Sequence, residues 1–366
     1  MKVLSVIQNM KLSHGGPPEV LKNQISTINK KNKIIKIMCL ENISFRYLFK
    51  CLLIRNHRLK MYKFLSNFDL LHFHTLWSFK SILFTFFANK IHLKFFFVGH
   101  GYLDLWSIKQ SLIKKKLFIK FFLQYAYSSA YASFFSTYDE CSEAQRSLKI
   151  HSPFIIPNGV DLNKFKKRII KKKSKKKILF FGRIHKKKGL DILIEVIKKL
   201  PENFFNNFSF HITGPGEKKN IDNFKKKIKL NHLQDKIKFN KAVSSAKKIE
   251  YLKRYDLFIL PSFEEGDSIA LKEALASYLP VIITKQCRLD IVKKYNAGFI
   301  TESTIDSLYN ALLRMRKADI VLMSNNARKL VEDKFDNKFC SMRLLSIYND
   351  VCCGAHKSPD WRNHNE

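Results

Sequence analysis

The chain has 366 residues, of which 46% are hydrophobic and 13% aromatic, a composition that excludes a disordered or low-complexity protein. Its length predicts two domains, at roughly 100–200 residues per domain. Lys and Arg (67) exceed Asp and Glu (30) by 37 charges, which is typical of proteins that meet phosphate-rich partners.

The basic residues are mostly Lys, because only 13 of the 67 are Arg. Base readout and bidentate phosphate binding favour the planar fork of Arg. A coding bias towards AT-rich codons explains most of the excess, since Lys, Ile, Asn and Phe are all abundant. Attraction to an anionic membrane surface is a second explanation. Nucleic-acid binding comes third, because the sequence contains no helix-turn-helix, zinc-finger or other recognisable binding motif.

Short β-branched or aromatic runs alternate with amphipathic helical stretches along the first half, which predicts an α/β fold. Predicted strands cover residues 3–7, 34–40, 70–74, 95–98 and 132–136. Pro17 and Pro18 begin a helix after the first strand, because proline is tolerated in a first helical turn. The sequence has no apolar run of 18 residues and no signal-peptide core after Met1, so a cytoplasmic protein without a spanning helix is expected. Seven Cys without a Cys-x-x-Cys pair also fit a reducing compartment.

A run of basic residues at 166–177 predicts a solvated linker between two doubly wound domains. The strand–turn–helix pattern then restarts, with predicted strands at residues 178–181, 208–213, 236–239, 257–260 and 281–284 and a helix at 189–200. The predicted organisation is a first domain at 1–165, the linker at 166–177, a second domain at 178–335, a C-terminal helix at 336–354 that packs back on the first domain, and a tail at 355–366.

Candidate site residues follow predicted strands, where helix N-termini favour anions. Gly15 and Gly16 follow the first strand and let the backbone approach a phosphate closely, although a plain flexible turn would look the same. Arg183 and Lys188 follow the first strand of the second domain and offer charge and donors to a diphosphate. His100 stands between two glycines at a strand end, where it is expected to be exposed.

The segment 261–276 feeds an acidic turn into a helix and carries Glu265 and Glu273 with seven residues between them. A carboxylate accepts two hydrogen bonds at once and therefore suits sugar or ribose hydroxyls. The alternative is an acidic helix start favoured by the helix dipole, which explains Glu264, Glu265 and Asp267 but not Glu273.

Taken together and in this order, these segments resemble retaining glycosyltransferases of the GT-B fold, specifically family 4 (glycosyltransferase group 1). The most specific features are the Glu-x7-Glu spacing from Glu265 to Glu273 and the Pro-Asn-Gly-Val-Asp run at 157–161. The resemblance covers nearly the whole chain, to about Glu332. It implies two Rossmann-like doubly wound domains that face each other across a cleft.

The resemblance assigns Arg183 and Lys188 to the diphosphate of a nucleotide-sugar donor, with Gly15 and Gly16 approaching from the other domain. Glu273 would bind the ribose hydroxyls of that donor. No protein nucleophile is required in the implied front-face displacement with retention, because the departing diphosphate takes up the proton of the acceptor hydroxyl. The sequence has no Asp-x-Asp, so neither a metal nor another cofactor is expected, and cationic side chains would neutralise the leaving group.

Glu265 and His100 are the catalytic residues that the resemblance implies, both in contact with the donor sugar. Gly266, Asp267 and Ser268 would form the loop against that sugar. Members of the family commonly carry Gly-Phe-Gly or Gly-Phe-Pro at this place, so the loop of this chain departs from the pattern at the residues that select the donor.

The resulting prediction is a transferase for surface polysaccharide such as lipopolysaccharide, O-antigen or capsule, with a glycan or lipid-linked glycan acceptor. The basic, aromatic stretch 113–122 suits a helix on an anionic membrane, at the inner face of the plasma membrane. The same stretch also fits an ordinary helix packed on the sheet with Lys outward. Alternative functions are a nucleotide-sugar epimerase or hydrolase of the same fold, or a basic nucleic-acid-binding protein, although no nucleic-acid partner is expected.

Overall fold

The computed structural model describes residues 1–10, 16–30, 33–100, 117–167, 169–170 and 174–354. These residues form two compact units, each with its own hydrophobic interior. The first unit consists of residues 1–159 together with the segment from Asn337 onward, and the second runs from Val160 to Asp336.

Parallel strands form the centre of both units. In chain order they are β1 (Val3–Ile7), β2 (Ile35–Cys39), β3 (Leu70–Phe73), β4 (Phe95–Val98), β5 (Ala132–Phe135), β6 (Pro153–Ile155), β7 (Lys176–Phe181), β8 (Phe208–Thr213), β9 (Ile237–Asn240), β10 (Leu257–Leu260), β11 (Val281–Thr284) and β12 (Gly298–Thr301). The first sheet has the order β2-β1-β3-β4-β5-β6, and the second has the order β12-β11-β10-β7-β8-β9.

Helices connect the strands, as parallel pairing requires. They are α1 (Pro17–Ile28), α2 (Phe45–Leu53), α3 (Arg55–Leu65), α4 (Phe79–Lys90), α5 (Gln124–Ser129), α6 (Tyr138–Gln145), α7 (Leu190–Lys199), α8 (Glu202–Phe205), α9 (Lys218–Leu230), α10 (Ser245–Leu252), α11 (Ile269–Ala276), α12 (Ile291–Lys294), α13 (Ile305–Lys317), α14 (Ile320–Lys334) and α15 (Asn337–Cys352).

The first unit buries four-residue aromatic and aliphatic strands on both sheet faces, as in β3 and β4. Its α15 packs against α1, where the Asn337 side-chain amide donates to the Asn23 carbonyl at 2.9 Å and to the Thr27 hydroxyl at 2.7 Å. Further along α15, Tyr348 is fully buried and stacks on Phe96 of β4. The C-terminal helix is therefore part of the interior of the first unit.

The second unit has the strand order of a doubly wound sheet, in which the chain runs outward from β7 in one direction and from β10 in the other. Its helices cover both faces, and α14 ties distant segments together. Arg328 of α14 donates to the carbonyl of Phe165 at 3.0 Å and to the carbonyl of Ala276 at 3.1 Å.

The boundary predicted at residue 165 is wrong, because the structure divides the chain between Gly159 and Val160. Phe165 lies in the core of the second unit, where the Arg328 bond holds it. The predicted linker is also too long, since Lys176 and Lys177 are the first residues of β7. Two Lys residues can begin a strand, because at the amino end of β7 their side chains are only half-buried or exposed.

Two strands were absent from the sequence prediction, β6 and β12. Each lies at an edge of its sheet and pairs with one neighbour only. β6 begins at a proline and β12 at a glycine, residues that normally indicate turns. An edge strand tolerates both because half of its backbone groups need no ladder partner.

Candidate functional site

The second sheet reverses its strand order between β7 and β10, and the loops that follow these two strands meet at the carboxyl edge. The Phe263 amide donates to the Lys187 carbonyl at 2.8 Å. Gly189 has a φ of +69°, and a Cβ on it would lie 1.8 Å from the Pro261 carbonyl oxygen. Only glycine allows this backbone approach, which fixes the two loops against each other.

Lys188 and Glu265, predicted from separate motifs, form an ion pair at this junction. Glu265 is 7% exposed, and its Oε1 accepts from the Lys188 ammonium at 2.5 Å and from the Ser262 hydroxyl at 2.6 Å. Its amide also donates to the Gln286 carbonyl at 3.0 Å. Both side-chain bonds end on Oε1, so Oε2 accepts no hydrogen bond from the residues that the structure describes.

Residues behind this pair support the loop after β10. The Thr284 hydroxyl donates to the Ser262 carbonyl at 2.5 Å, and the Cys287 thiol donates to the Leu260 carbonyl at 3.4 Å. Burial, followed by the negative charge of Glu265, raises the pKa of Cys287 to about 12. Cys287 is therefore a neutral, structural thiol at neutral pH.

Asp267 of the predicted donor-sugar loop is neutralised within the unit. Its two oxygens bind the Lys272 ammonium at 2.5 and 2.6 Å, and both side chains are less than 5% exposed. Lys272 also lies 4.2 Å from the centre of the Phe335 ring. Ser268 is the N-cap of α11, and its hydroxyl accepts from the Leu271 amide. Asp267 directly precedes this cap, at the start of the helix, and Lys272 compensates its charge.

Glu273 lies on α11 and forms an ion pair with Lys248 of α10, with 2.6 Å between Nζ and Oε1. Glu264 likewise pairs with Arg288. The sequence analysis missed Lys248, Lys272 and Arg288, because nothing in a chain with so many basic residues marks these three. The sequence indicates only that basic partners are needed, because several carboxylates stand close together and a buried carboxylate requires compensation.

Arg183 stands where the loops after β7 and β8 meet. The Gly182 amide donates to the Thr213 carbonyl at 3.0 Å, and the Ile184 amide donates to the Pro215 carbonyl at 2.7 Å. Between these anchors the Arg183 side chain is exposed. Within the described part of the chain it has no carboxylate partner, so its charge is available to an anion.

The predicted glycine site of the first unit is only partly covered by the structure. Gly15 lies outside the described residues. Gly16 immediately precedes α1, and its carbonyl accepts from the amides of Glu19 and Val20 at 3.0 Å each. With Pro at the first two helical positions, α1 begins at the carboxyl end of β1 as the sequence predicts.

His100 belongs to the first unit and follows β4. It was expected to be exposed, but it is partly buried and stacks on His74, with ring centres 5.4 Å apart. Its Nε2 lies 3.1 Å from the Nδ1 of His74. Burial lowers the pKa of His100 to about 4, so the imidazole is neutral at neutral pH.

His72 and His74 extend this arrangement into a row of three imidazoles. His72 lies 4.4 Å from His74 between ring centres, and its Nδ1 bonds to the Tyr348 hydroxyl of α15. Burial, with a smaller contribution from His100, lowers the pKa of His72 to about 3. The sequence did carry a signal here, since residues two apart in extended chain face the same side, and His72 lies on β3 with His74 directly after it.

The described residues contain no group of three or more His, Cys, Asp or Glu that could hold a metal ion. None of their helices is long and apolar enough to cross a membrane. Of the basic, aromatic stretch, residues 113–116 lie outside the described residues. The following residues include buried Ile119 and Leu123 and exposed side chains, and Phe121 is the most exposed of the large hydrophobic ones at 61%.

Comparison with known proteins shows which solved structures share this architecture. Anabaena Alr3699/HepE in complex with UDP is similar at a TM-score of 0.76 and 15% identity, covering 96% of this chain and 100% of that one. WaaG, a glycosyltransferase involved in lipopolysaccharide biosynthesis, gives a TM-score of 0.64 at 15% identity over 96% and 100% of the two chains. The chain therefore has the fold of the GT-B glycosyltransferases, two α/β units each built on a parallel sheet.

A family model also matches within the second unit. Residues 161–330 match the model of the glycosyl transferases group 1. UDP-Gal:alpha-D-GlcNAc-diphosphoundecaprenol alpha-1,3-galactosyltransferase of Escherichia coli is 32% identical over 214 residues, 54% of each chain. An uncharacterised glycosyltransferase of Methanocaldococcus jannaschii, MJ1178, is 29% identical over 191 residues. The alignments span about half the length of these curated relatives.

Proposed function

We propose that the protein is a retaining glycosyltransferase of family 4 that moves a sugar from a nucleoside-diphosphate sugar to an acceptor hydroxyl. The observation that carries this proposal is the Lys188–Glu265 pair at the strand-order reversal of the second sheet. Ser262 and Gly189 hold this pair in place. The Lys188 ammonium can bind the diphosphate, and the Glu265 carboxylate can accept from hydroxyls of the sugar.

The donor is bound through its diphosphate by Arg183 and Lys188. Arg183 is exposed and without a carboxylate partner in the described residues, so it can pair with phosphate oxygens in a bidentate manner. Gly15 and Gly16 precede α1 in the sequence, and their lack of a side chain lets the backbone approach the phosphates. Glu273 accepts from the ribose hydroxyls. Structures of the neighbour HepE hold UDP and UDP-glucose, which makes uridine nucleotides the first to test.

The chemistry is a front-face displacement in which the acceptor hydroxyl attacks beside the departing diphosphate. Positive charge from Arg183 and Lys188 stabilises the leaving group without a metal. Glu265 and His100 contact the donor sugar, and Oε2 of Glu265 can accept from a sugar hydroxyl. His100 contributes a neutral imidazole, because its pKa is lowered to about 4. The leaving oxygen takes the acceptor proton, so no protein nucleophile takes part.

The acceptor is a lipid-linked glycan in the synthesis of surface polysaccharide such as lipopolysaccharide, O-antigen or capsule. The name of the E. coli relative describes transfer to a sugar on diphosphoundecaprenol, which supports this acceptor class. We propose that the protein works in the cytoplasm, at the inner face of the plasma membrane. Exposed Leu117, Phe121 and Phe122, with Lys120 among them, give the first unit an apolar surface with basic side chains.

The test is sugar transfer from a panel of nucleotide-sugars to undecaprenyl-diphosphate sugars, with the anomeric configuration of the product read by NMR. Arg183→Ala and Glu265→Gln should each lower kcat/KM about 10²–10³-fold, because each removes a group that stabilises the donor or the transition state. Arg316→Ala and Glu195→Gln, which change the same residue types on α13 and α7, should transfer at the wild-type rate.

Near-wild-type transfer by both site variants would contradict the site assignment, and an inverted product would contradict retention. Release of nucleoside diphosphate without transfer would favour the epimerase or hydrolase. Tight, steeply salt-dependent binding to DNA or RNA that survives Glu265→Gln would favour the nucleic-acid-binding protein.

A further inference from the structure

We infer that Lys248 recognises the ribose hydroxyls of the donor nucleotide together with Glu273, and so makes the site selective for ribonucleotides over 2′-deoxyribonucleotides. This inference rests on the proposed function, because it concerns the nucleotide of the same donor. It starts from one contact. Nζ of Lys248 lies 2.6 Å from Oε1 of Glu273, and the two side chains are only 10% and 8% exposed.

Lys248 differs in burial from Lys247, the other Lys of its helix. The preceding residues of α10, from Ser245 to Lys247, are all exposed, whereas Lys248 is buried. A lysine on a surface helix normally keeps its ammonium group in water, because desolvation of a charge is costly. The side chain of Lys248 is turned towards Glu273 instead, on the inner side of the helix.

The position of α10 brings this pair to the carboxyl edge of the sheet. One turn beyond Lys248, the Tyr251 hydroxyl bonds to the Thr213 hydroxyl at 2.8 Å, and Thr213 is the last residue of β8. The Tyr251 ring also lies 6.3 Å from the ring of Phe181, the last residue of β7. Lys248 is thus held next to the strand ends where nucleotides bind in doubly wound sheets.

The chemistry of a diol explains why both charges are useful. Each ribose hydroxyl is a donor and an acceptor at once, whereas a carboxylate can only accept and an ammonium group can only donate. Glu273 alone satisfies the hydroxyl protons and leaves their oxygens without donors. An ammonium group has three N–H donors, so a lysine can bond to Glu273 and to further acceptors at the same time. Together the two side chains match both roles of the 2′- and 3′-hydroxyls.

The stability of the fold does not by itself explain the ion pair between Lys248 and Glu273. Replacement of a buried ion pair by apolar residues of similar volume is often neutral or stabilising, since desolvation offsets the attraction. A purely structural pair would therefore leave nucleotide selectivity unchanged when it is replaced. Selectivity between ribose and deoxyribose is the property that separates the two roles.

The experiment measures Kd by calorimetry for UDP, GDP, CDP and ADP and for their 2′-deoxy counterparts, and then follows the tightest pair through a set of variants. Wild-type protein should bind the ribonucleotide about tenfold or more tightly than its deoxy form, the loss expected for a charged hydrogen bond. In Lys248→Met, affinity for the ribonucleotide should fall about tenfold or more and affinity for the deoxynucleotide less than about threefold. Lys248→Arg, which keeps a donor, should retain the preference.

The control variant is Lys236→Met, which removes a lysine paired with Glu202 at the opposite edge of the sheet and should leave both affinities unchanged. If Lys248→Met does not fold, Lys248→Met/Glu273→Gln is compared with Glu273→Gln, because the double variant buries no unpaired charge. An unchanged preference in Lys248→Met, or in the double variant relative to its parent, overturns the inference alone. Wild-type protein that binds none of the eight nucleotides overturns the proposed function instead.

Discussion

At the residue scale, the acidic side chains of the candidate site are compensated one by one. Each of the four carboxylates between Glu264 and Glu273 forms an ion pair with a basic side chain of the second unit: Glu264 with Arg288, Glu265 with Lys188, Asp267 with Lys272 and Glu273 with Lys248. A small part of the basic excess is therefore specific, because buried carboxylates need partners in fixed positions. Which Lys residues supply them depends on the tertiary fold.

Gly189 is the residue on which the junction of two site loops depends. We expect Gly189→Ala to destabilise the second unit by about 2 kcal/mol or more, because its φ of +69° and the nearby Pro261 carbonyl leave no room for a Cβ. Urea unfolding followed by circular dichroism measures the change. Gly182→Ala is the matched control, since its Cβ would meet only the Phe180 ring at 3.6 Å. Equal stability of the two variants would show that the junction is not strained by a methyl group.

At the element scale, the strands of both sheet centres could be predicted from the sequence, and five of them match their predicted bounds: β1, β4, β8, β10 and β11. They are short β-branched or aromatic runs, and all of them except β8 are buried along their whole length, so the composition of each run is sufficient. The edge strands β6 and β12 could not be predicted, because pairing with a neighbour rather than local propensity makes them strands. The domain boundary could not be predicted either, because Phe165 is held in the second unit by Arg328 of α14, which is distant in the sequence.

The stacked histidines at the carboxyl ends of β3 and β4 belong to this scale, because two strands and α15 hold them together. His72 and His100 have pKa values lowered to about 3 and about 4 by burial, so the folded state binds fewer protons than the unfolded chain below pH 6.5. Their contribution to stability is complete above pH 6.5 and is lost as the pH falls through 6.5 towards 4 for His100 and towards 3 for His72.

We therefore expect the free energy of unfolding to fall between pH 6 and pH 4.5, with about 1.4 kcal/mol per pH unit from each of these histidines. His72→Gln should flatten the slope by about that amount, because glutamine does not titrate. Urea unfolding at several pH values gives both slopes. Exposed His151 provides the control, and His151→Gln should retain the wild-type slope. A His72→Gln slope equal to that of wild type would contradict the buried, neutral state of His72.

At the scale of the whole molecule, the net charge of +37 acts as a long-range field rather than as a recognition code. Only 13 of the basic residues are Arg, and α9 alone carries six exposed Lys residues. Such a field attracts any anionic surface, so specificity for a membrane must come from apolar side chains that can enter it. The exposed aromatic residues around Phe121 meet that requirement.

The protein should sediment with vesicles that contain anionic lipid and not with purely phosphatidylcholine vesicles, and binding should weaken as salt screens the charge. Phe121→Ser should lower the partition coefficient about tenfold, because it removes one aromatic side chain from the contact. Phe339→Ser on α15 removes an equally exposed ring outside this surface and serves as the control. Absence of binding at physiological salt, or equal loss in both variants, would remove the membrane proposal.

The division of the chain also has a consequence for how the protein can be taken apart. Val160 and Asp336, the two ends of the second unit, form a parallel bridge, and the Val160 amide donates to the Phe335 carbonyl at 2.8 Å. Gly159 and Asn337 are close in the first unit, where a Cβ on Gly159 would lie 2.5 Å from the Asn337 Cα. The second unit is thus inserted into the sequence of the first, and its two ends adjoin. Residues 160–336 can be deleted as one continuous gene segment, and a short peptide is enough to join Gly159 to Asn337.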